Sequence, residues 1–188
     1  MNIKKTLYVT NRKDWRKWLE KNFDKEKDVW LIYPIKSSGK PRIVYNDAVE
    51  EALCFGWIDS IIKYFDKEST IQRFSLRNSK STHSQQNKER IKWLLEHDMI
   101  HPSILEKAKQ IASEKFVFPK DIIDALKKDK IAWKNYNTFS DTYKRIRIAY
   151  IHSAQKRPEE FKKRLSNFIE KTKDNKLIKG FGGIEKYY

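Results

Sequence analysis

At 188 residues the chain is long enough for one sizeable core, or for two small lobes sharing one. A hydrophobic content of 39% with 13% aromatics excludes a disordered tail, and five glycines and five prolines exclude a fibrous or linker-rich chain. The formal charge of +16 points to anionic partners: nucleic acid, lipid headgroups or phosphorylated small molecules.

The first predicted element is a helix in "NRKDWRKWLEKNF", where Trp15, Trp18, Leu19 and Phe23 recur at helical spacing behind Asn11 as its N-cap. "DVWLIYPI" is a buried strand that Pro34 ends, and "KSSGKP" a turn or loop. "YNDAVEEALCFGW" predicts a short helix capped by Asn46, with Asp47, Glu50 and Glu51 at its positive end and Gly56 closing it in a left-handed conformation. Cys54 lies in the apolar run "ALCFGWI"; as the single cysteine it excludes an internal disulfide and is expected to be a buried, inert thiol. "WIDSIIKYF" and "STIQRFSLR", separated by "DKE", predict a strand hairpin.

From Ser84 the period becomes helical, with Ile91, Trp93, Leu94 and Leu95 forming a stripe. Further helices are predicted from Pro102, from Pro119, after Ser140 as a cap, and from Pro158, the last with Phe161, Leu165, Phe168 and Ile169 on one face. The tail "IKGFGGIEKYY" is too rich in glycine for a helix. Strands and short helices thus fill the first part and helices the rest. The expected class is α+β: a small antiparallel sheet with short helices, packed with a mostly helical C-terminal part. The expected organisation is an α+β part over 1–80, a helical part over 81–175 and a Gly-rich tail over 176–188, in one compact unit.

The candidate chemistry lies in and after the hairpin. Along "TIQRFSLR" side chains alternate, so Arg73, Ser75 and Arg77 share one face and Gln72, Phe74 and Leu76 the other. Two arginines flanking a serine suit a phosphate or carboxylate, because a guanidinium donates paired hydrogen bonds. Trp57 and Asp59 share a face of the preceding strand, and hairpin register decides whether Asp59 meets Arg73 or Arg77 in a structural ion pair. "NSKSTHSQQN" follows, with Ser79, Ser81, Thr82, His83, Ser84 and Asn87 just before a helix N-terminus, where free N–H groups suit anions. The plain alternative is a capped helix and a surface loop. His83 titrates near neutrality and is a candidate acid or base, or simply an exposed loop histidine.

His97 and His101 are four apart but lack a third ligand nearby, so no metal is expected, and no cofactor motif is present. From Leu126 to Tyr188 there are 17 Lys and Arg against 7 Asp and Glu, which makes this third strongly basic. Its interleaved aromatics fit nucleic acid, although Tyr143, Ile146 and Tyr150 have the spacing of a core stripe. No apolar run approaches the roughly 18 residues of a membrane span. No apolar leader opens the chain, which is therefore expected to be cytoplasmic.

"EALCFGWIDS", "QRFSLRNSKSTHSQQNKERI" and "HSAQKRPEEFKKRLSNFIE" together resemble the YdeI/OmpD-associated, or bacteriocin-protection-like, family. The resemblance runs in the same order over most of the chain, and its central pattern falls on Phe55 to Asp59, Arg73, Phe74, Arg77, Ser81, His83, Ser84 and Asn87. The family's prolines near Leu76 and Ser79, and its Trp at the position of His83, are absent here. The resemblance implies a bacterial protein linked to envelope stress or bacteriocin tolerance, and it implies no defined reaction. The residues and this resemblance together imply an anion-binding pocket at Trp57, Asp59, Arg73, Phe74, Arg77, Ser81, His83, Ser84 and Asn87. In it Trp57 is a wall, the arginines hold the anion, and Asp59 orients an arginine or acts as a base. The alternatives are nucleic-acid binding by the basic C-terminal helices and a protein contact without chemistry.

Overall fold

A computed structural model describes residues 5–78, 81–180 and 183–188. The class is α+β, as expected. The chain divides into two compact units, one of Met1–Thr82 with Arg90–Ala112 and one of His83–Glu89 with Ser113–Tyr188. Arg90–Ala112 thus groups with the sheet.

The first unit holds β1 (Thr6–Leu7), α1 (Arg12–Asn22), β2 (Asp28–Pro34), α2 (Tyr45–Cys54), β3 (Trp57–Tyr64) and β4 (Ser69–Leu76). The four strands lie in the order β1-β2-β4-β3. The β3–β4 hairpin is antiparallel and β4 pairs antiparallel with β2. The sheet is nevertheless mixed, because β1 adds a two-residue parallel pairing, Thr6 with Trp30 and Leu7 with Leu31. A pairing that short leaves no periodic signal in a sequence.

Asn11 caps α1 as expected, accepting from the Asp14 backbone N–H. The reading of Asn46 as a cap fails: Val44 holds the N-cap position of α2 without a side-chain bond, and Asn46 is inside the first turn and buried. Gly56 has φ 73°, which ends α2 in the left-handed region that a residue with a Cβ avoids. α1 and α2 cover the sheet face that carries Val29, Leu31, Tyr33, Trp57 and Phe74, and this is the unit's core. Cys54 is buried there, and burial first, then Glu51, pushes its thiol up to about 12, partly offset by Arg16. It is inert at neutral pH.

α3 (Gln85–Glu96) is divided between the two units, residues 85–89 belonging to the second and 90–96 to the first. Pro102 opens a 3-10 turn, Pro102–Ile104, rather than the helix itself, and α4 (Leu105–Ser113) follows.

The second unit contains α5 (Lys120–Lys127), α6 (Lys130–Thr138), α7 (Asp141–His152) and α8 (Pro158–Lys173). Its core is Ile122, Leu126, Tyr136, Tyr143, Ile148, Ile151 and Phe168. α6 is not foreseen by the periodicity; its signal is Asp129, whose carboxylate accepts from the Ile131 and Ala132 N–H groups at 3.0 Å each. Ser140 caps α7 as expected, through the Tyr143 N–H. The tail folds back as a 3-10 turn, Ile184–Tyr187, with Ile184 buried. Any Cβ at Gly180 would lie 2.1 Å from Ile184 Cγ1, so this approach requires glycine.

Candidate functional site

Strand pairing decides the geometry of the hairpin. Trp57 pairs with Leu76, Ile58 with Ser75 and Asp59 with Phe74; then the register shifts, and Ile62 pairs with Gln72. β3 therefore carries one extra residue between Asp59 and Ile62, a bulge. Paired residues share a face, so Asp59 lies on the helix-covered face with Phe74 and Gln72. Arg73 is on the opposite face, beside Trp30 of β2. Asp59 consequently meets neither arginine of the sequence pair.

Arg73 donates instead to Asp28, from Nε at 3.1 Å and Nη2 at 2.6 Å, and its charge is neutralised within the sheet. Trp57 and Phe74 are both 0% exposed, and the Trp57 indole N–H donates to the Phe23 carbonyl at 3.1 Å. Both are core side chains here.

Asp59 sits in a polar cluster whose other members the sequence reading passed over. Its Oδ2 accepts from the Tyr45 hydroxyl at 2.9 Å and from the Gln72 amide at 2.8 Å. Tyr33, on the same sheet face, is 8% exposed and its buried hydroxyl has no hydrogen-bond partner among the described residues. Burial first, then the Asp59 charge, pushes Tyr45 up to about 12. Burial first, then Tyr45 and Asp59, pushes Tyr33 up further.

Next to this cluster the acids of α2 form an internal ion network. Glu50 and Glu51 are buried. Arg12 reaches Glu51 at 2.7 Å and Glu50 at 3.2 Å, and Arg16 reaches Glu51 at 2.8 Å. Asn46 donates to Glu50 at 2.7 Å and accepts from the buried Arg90 at 3.0 and 3.1 Å. The acids read as dipole partners of a helix N-terminus thus hold α1, α2 and α3 together. The signal was available in the "NDAVEE" run, which places three acids within five residues, but their partners are distant in sequence.

These tyrosines set an alkaline limit. An unfolded tyrosine ionises near pH 10, whereas Tyr45 in the first unit and Tyr136 in the second, both raised chiefly by burial, ionise near 12. Between those values the unfolded chain binds fewer protons than the folded one, so stability falls as pH rises from about 10 to about 12. Urea midpoints at pH 9 and 11 are expected to show this fall, and Tyr45→Phe to reduce it. An unchanged pH dependence in Tyr45→Phe would contradict the assignment.

Beyond β4, the Arg77 backbone N–H donates to the Gly56 carbonyl at 3.1 Å and its Nη2 donates to the Thr82 carbonyl. Among the described residues its buried Nε has no hydrogen-bond partner and no carboxylate pairs with it. Burial alone lowers its pKa. Ser81 is exposed, and its hydroxyl donates to the Asn78 carbonyl at 2.8 Å. Ser79 lies outside the described residues.

His83, Ser84 and Asn87 belong to the second unit. Ser84 accepts from the Asn87 backbone N–H at 3.3 Å, as the N-cap of α3, and lines a cavity of about 260 Å³ with Gln85, Ile146, Tyr150 and Ser153. His83 is half-buried. The predicted residues therefore fall into separate places: Trp57 and Phe74 in the sheet core, Asp59 in the tyrosine cluster, Arg73 on the other sheet face, and Arg77 with Ser81 at the hairpin exit. Among the described residues no three His, Cys, Asp or Glu side chains form a metal-ligating group. His97 stacks on Trp93 at 3.8 Å, and His101 Nδ1 bonds the Ser103 hydroxyl at 2.7 Å.

These features define a basic α+β protein of two units, in which no helix of the described residues is long and apolar enough to cross a membrane. Residues 7–107 match the family described as Domain of unknown function (DUF8412), and the chain belongs to that family. Residues 115–175 match the family described as Bacteriocin-protection, YdeI or OmpD-Associated. No curated protein and no solved structure matches the chain. The YdeI/OmpD-associated resemblance is thereby borne out over a narrower range than the motifs suggested. It covers the helical part with "HSAQKRPEEFKKRLSNFIE", while Phe55–Asn87 lies inside the stretch matched by the other family.

Proposed function

We propose that this YdeI/OmpD-associated family protein binds a small anionic molecule at the exit of the β3–β4 hairpin, with Arg77 as the cation that holds it. The observation that carries this reading is the state of Arg77. Among the described residues its buried Nε has no partner and no carboxylate offsets its charge, and burial lowers its pKa. A guanidinium whose Nε is desolvated and unpaired gains from an incoming phosphate or carboxylate, which accepts paired hydrogen bonds. Arg73 is a poor second ligand because Asp28 already neutralises it. Ser81, four residues along the same loop, is a polar neighbour suited to such an anion. The description of the family matched over residues 115–175 names bacteriocin protection, and capture of a small anion is the molecular activity we assign to this chain within such a role.

Thermal denaturation of the full chain against inorganic phosphate and a panel of phosphorylated metabolites tests this. A ligand-dependent rise in Tm is expected for the wild type and for Arg73→Gln, and its loss is expected in Arg77→Gln. A panel with no response, or a response that survives Arg77→Gln, would sink the reading. So would binding of an oligonucleotide that outcompetes every metabolite and weakens steeply with salt, which would favour the nucleic-acid alternative.

A further inference from the structure

The helical unit contains a second arginine without a carboxylate, and this one faces a cavity. Arg147 of α7 is 7% exposed, and its side chain lines a cavity of about 320 Å³ formed by α7, α8 and the start of the tail. Its Nη2 donates to the Ile178 carbonyl and to the Tyr188 hydroxyl, and its guanidinium lies 5.6 and 5.7 Å from the Tyr143 and Tyr188 ring centres. These contacts pin the tail, but they supply no negative charge. The Arg147 Nε is buried and has no partner, and no ion pair forms at Arg147 among the described residues. A buried cation in that condition is costly unless an anion meets it.

The remaining lining selects the anion. Arg164 is already used: Glu160 accepts from it at 2.7 Å, and its guanidinium stacks on Tyr150 at 3.8 Å. Lys163 is exposed at the rim and forms no ion pair within the described residues, though its charge helps to lower the pKa of Glu160, after the Arg164 hydrogen bond. Glu185, the acid on the tail, is turned to the Gly180 N–H at 2.8 Å. Arg147 therefore lacks a carboxylate, and the exposed Lys163 adds a second positive charge that Glu160 offsets only in part. The walls between them are Ile151, Phe168 and Ile178, with Asn167 as a further polar group. This volume lies at the small end of ligand sites, and a few placed polar groups in an apolar lining are typical of them.

We infer that this cavity is a binding site for a small carboxylate with an apolar body. The carboxylate meets Arg147, the body packs on Phe168 and its aliphatic neighbours, and Lys163 closes the charge at the mouth. The inference does not depend on the hairpin site, which lies in the other unit and is assigned to a different arginine.

Isothermal titration of the full chain with hexanoate and benzoate, and with hexanol and benzyl alcohol as uncharged counterparts, provides the test. Saturable binding of the carboxylates and none of the alcohols is expected. Lys163→Gln, an exposed position that leaves the core intact, is expected to weaken binding about two- to fivefold, the range for a partly screened ion pair. Arg147→Met is expected to abolish it, and Arg77→Gln to leave it unchanged. Equal affinity for alcohols and carboxylates would overturn the inference, as would no saturable binding of either carboxylate. Unaltered affinity in both Lys163→Gln and Arg147→Met, or loss of binding in Arg77→Gln, would overturn it as well. Inorganic phosphate that binds the Arg147 site more tightly than both carboxylates would also overturn it.

Discussion

Replacement of Trp57 by alanine is expected to cost about 3–5 kcal/mol of folding stability, the range for deleting a large aromatic side chain from a core. Trp57 is fully buried and packs edge-on against Trp18, with ring centres 5.8 Å apart. Its indole N–H is the donor to the Phe23 carbonyl, just past the end of α1. Truncation therefore leaves a cavity and also an acceptor without its donor, and both terms act in the same direction. Trp57→Phe keeps most of the volume and loses the hydrogen bond, so it should cost less than half as much. Urea unfolding followed by circular dichroism measures both. A loss under about 1 kcal/mol in Trp57→Ala would mean that the side chain walls a pocket instead of filling the core, since surface substitutions fall near ±0.5 kcal/mol.

Glu51→Ala should be nearly as damaging, at about 3 kcal/mol, toward the lower end for breaking a buried ion pair because its arginine partners retain some solvent. The Glu51 carboxylate is buried, and it receives Arg12 on Oε1 at 2.7 Å and Arg16 on Oε2 at 2.8 Å. Burial lowers the pKa of both arginines, but the hydrogen bond and charge of Glu51 outweigh it and their net shift is upward. Removing the acid reverses that balance and leaves two half-buried guanidiniums, Arg12 with Glu50 and Asp47 and Arg16 with Glu20 as their remaining acids among the described residues. The triple replacement Arg12→Met, Arg16→Met, Glu51→Met should recover much of the loss, because it removes the stranded charges along with the acid. Urea midpoints decide the matter. A change within about 0.5 kcal/mol for Glu51→Ala would show the network to be as weak as a surface pair.

Some of this geometry is legible in the chain and some is not. Alternation along "TIQRFSLR" correctly separates Arg73 and Ser75 from Gln72 and Phe74, because it follows from backbone geometry within one strand. The position of Asp59 could not be read in that way. It depends on which residue of β4 lies opposite, and that was set by pairing across the turn and by a bulge with no marker residue in "IDSII". The partners that matter most, Asp28 for Arg73 and Arg12 and Arg16 for Glu51, are 45, 39 and 35 positions away. No local pattern reports such pairs.

By itself the sequence determined the α+β class, the amphipathic helices with caps at Asn11 and Ser140, the buried thiol and the basic C-terminal third. Each of these rests on interactions within a few residues, or on composition. Tertiary structure alone decided which arginines are spent and which are left with charge to offer. Arg73 and Arg77 are four positions apart in one motif and look equivalent on paper, yet one is neutralised across the sheet and the other is not. Arg147 is one of many basic residues in the C-terminal third of the sequence, and it is buried against a cavity. The physical reason is that the burial of a charge and the presence of a carboxylate beside it are both set by distant parts of the chain.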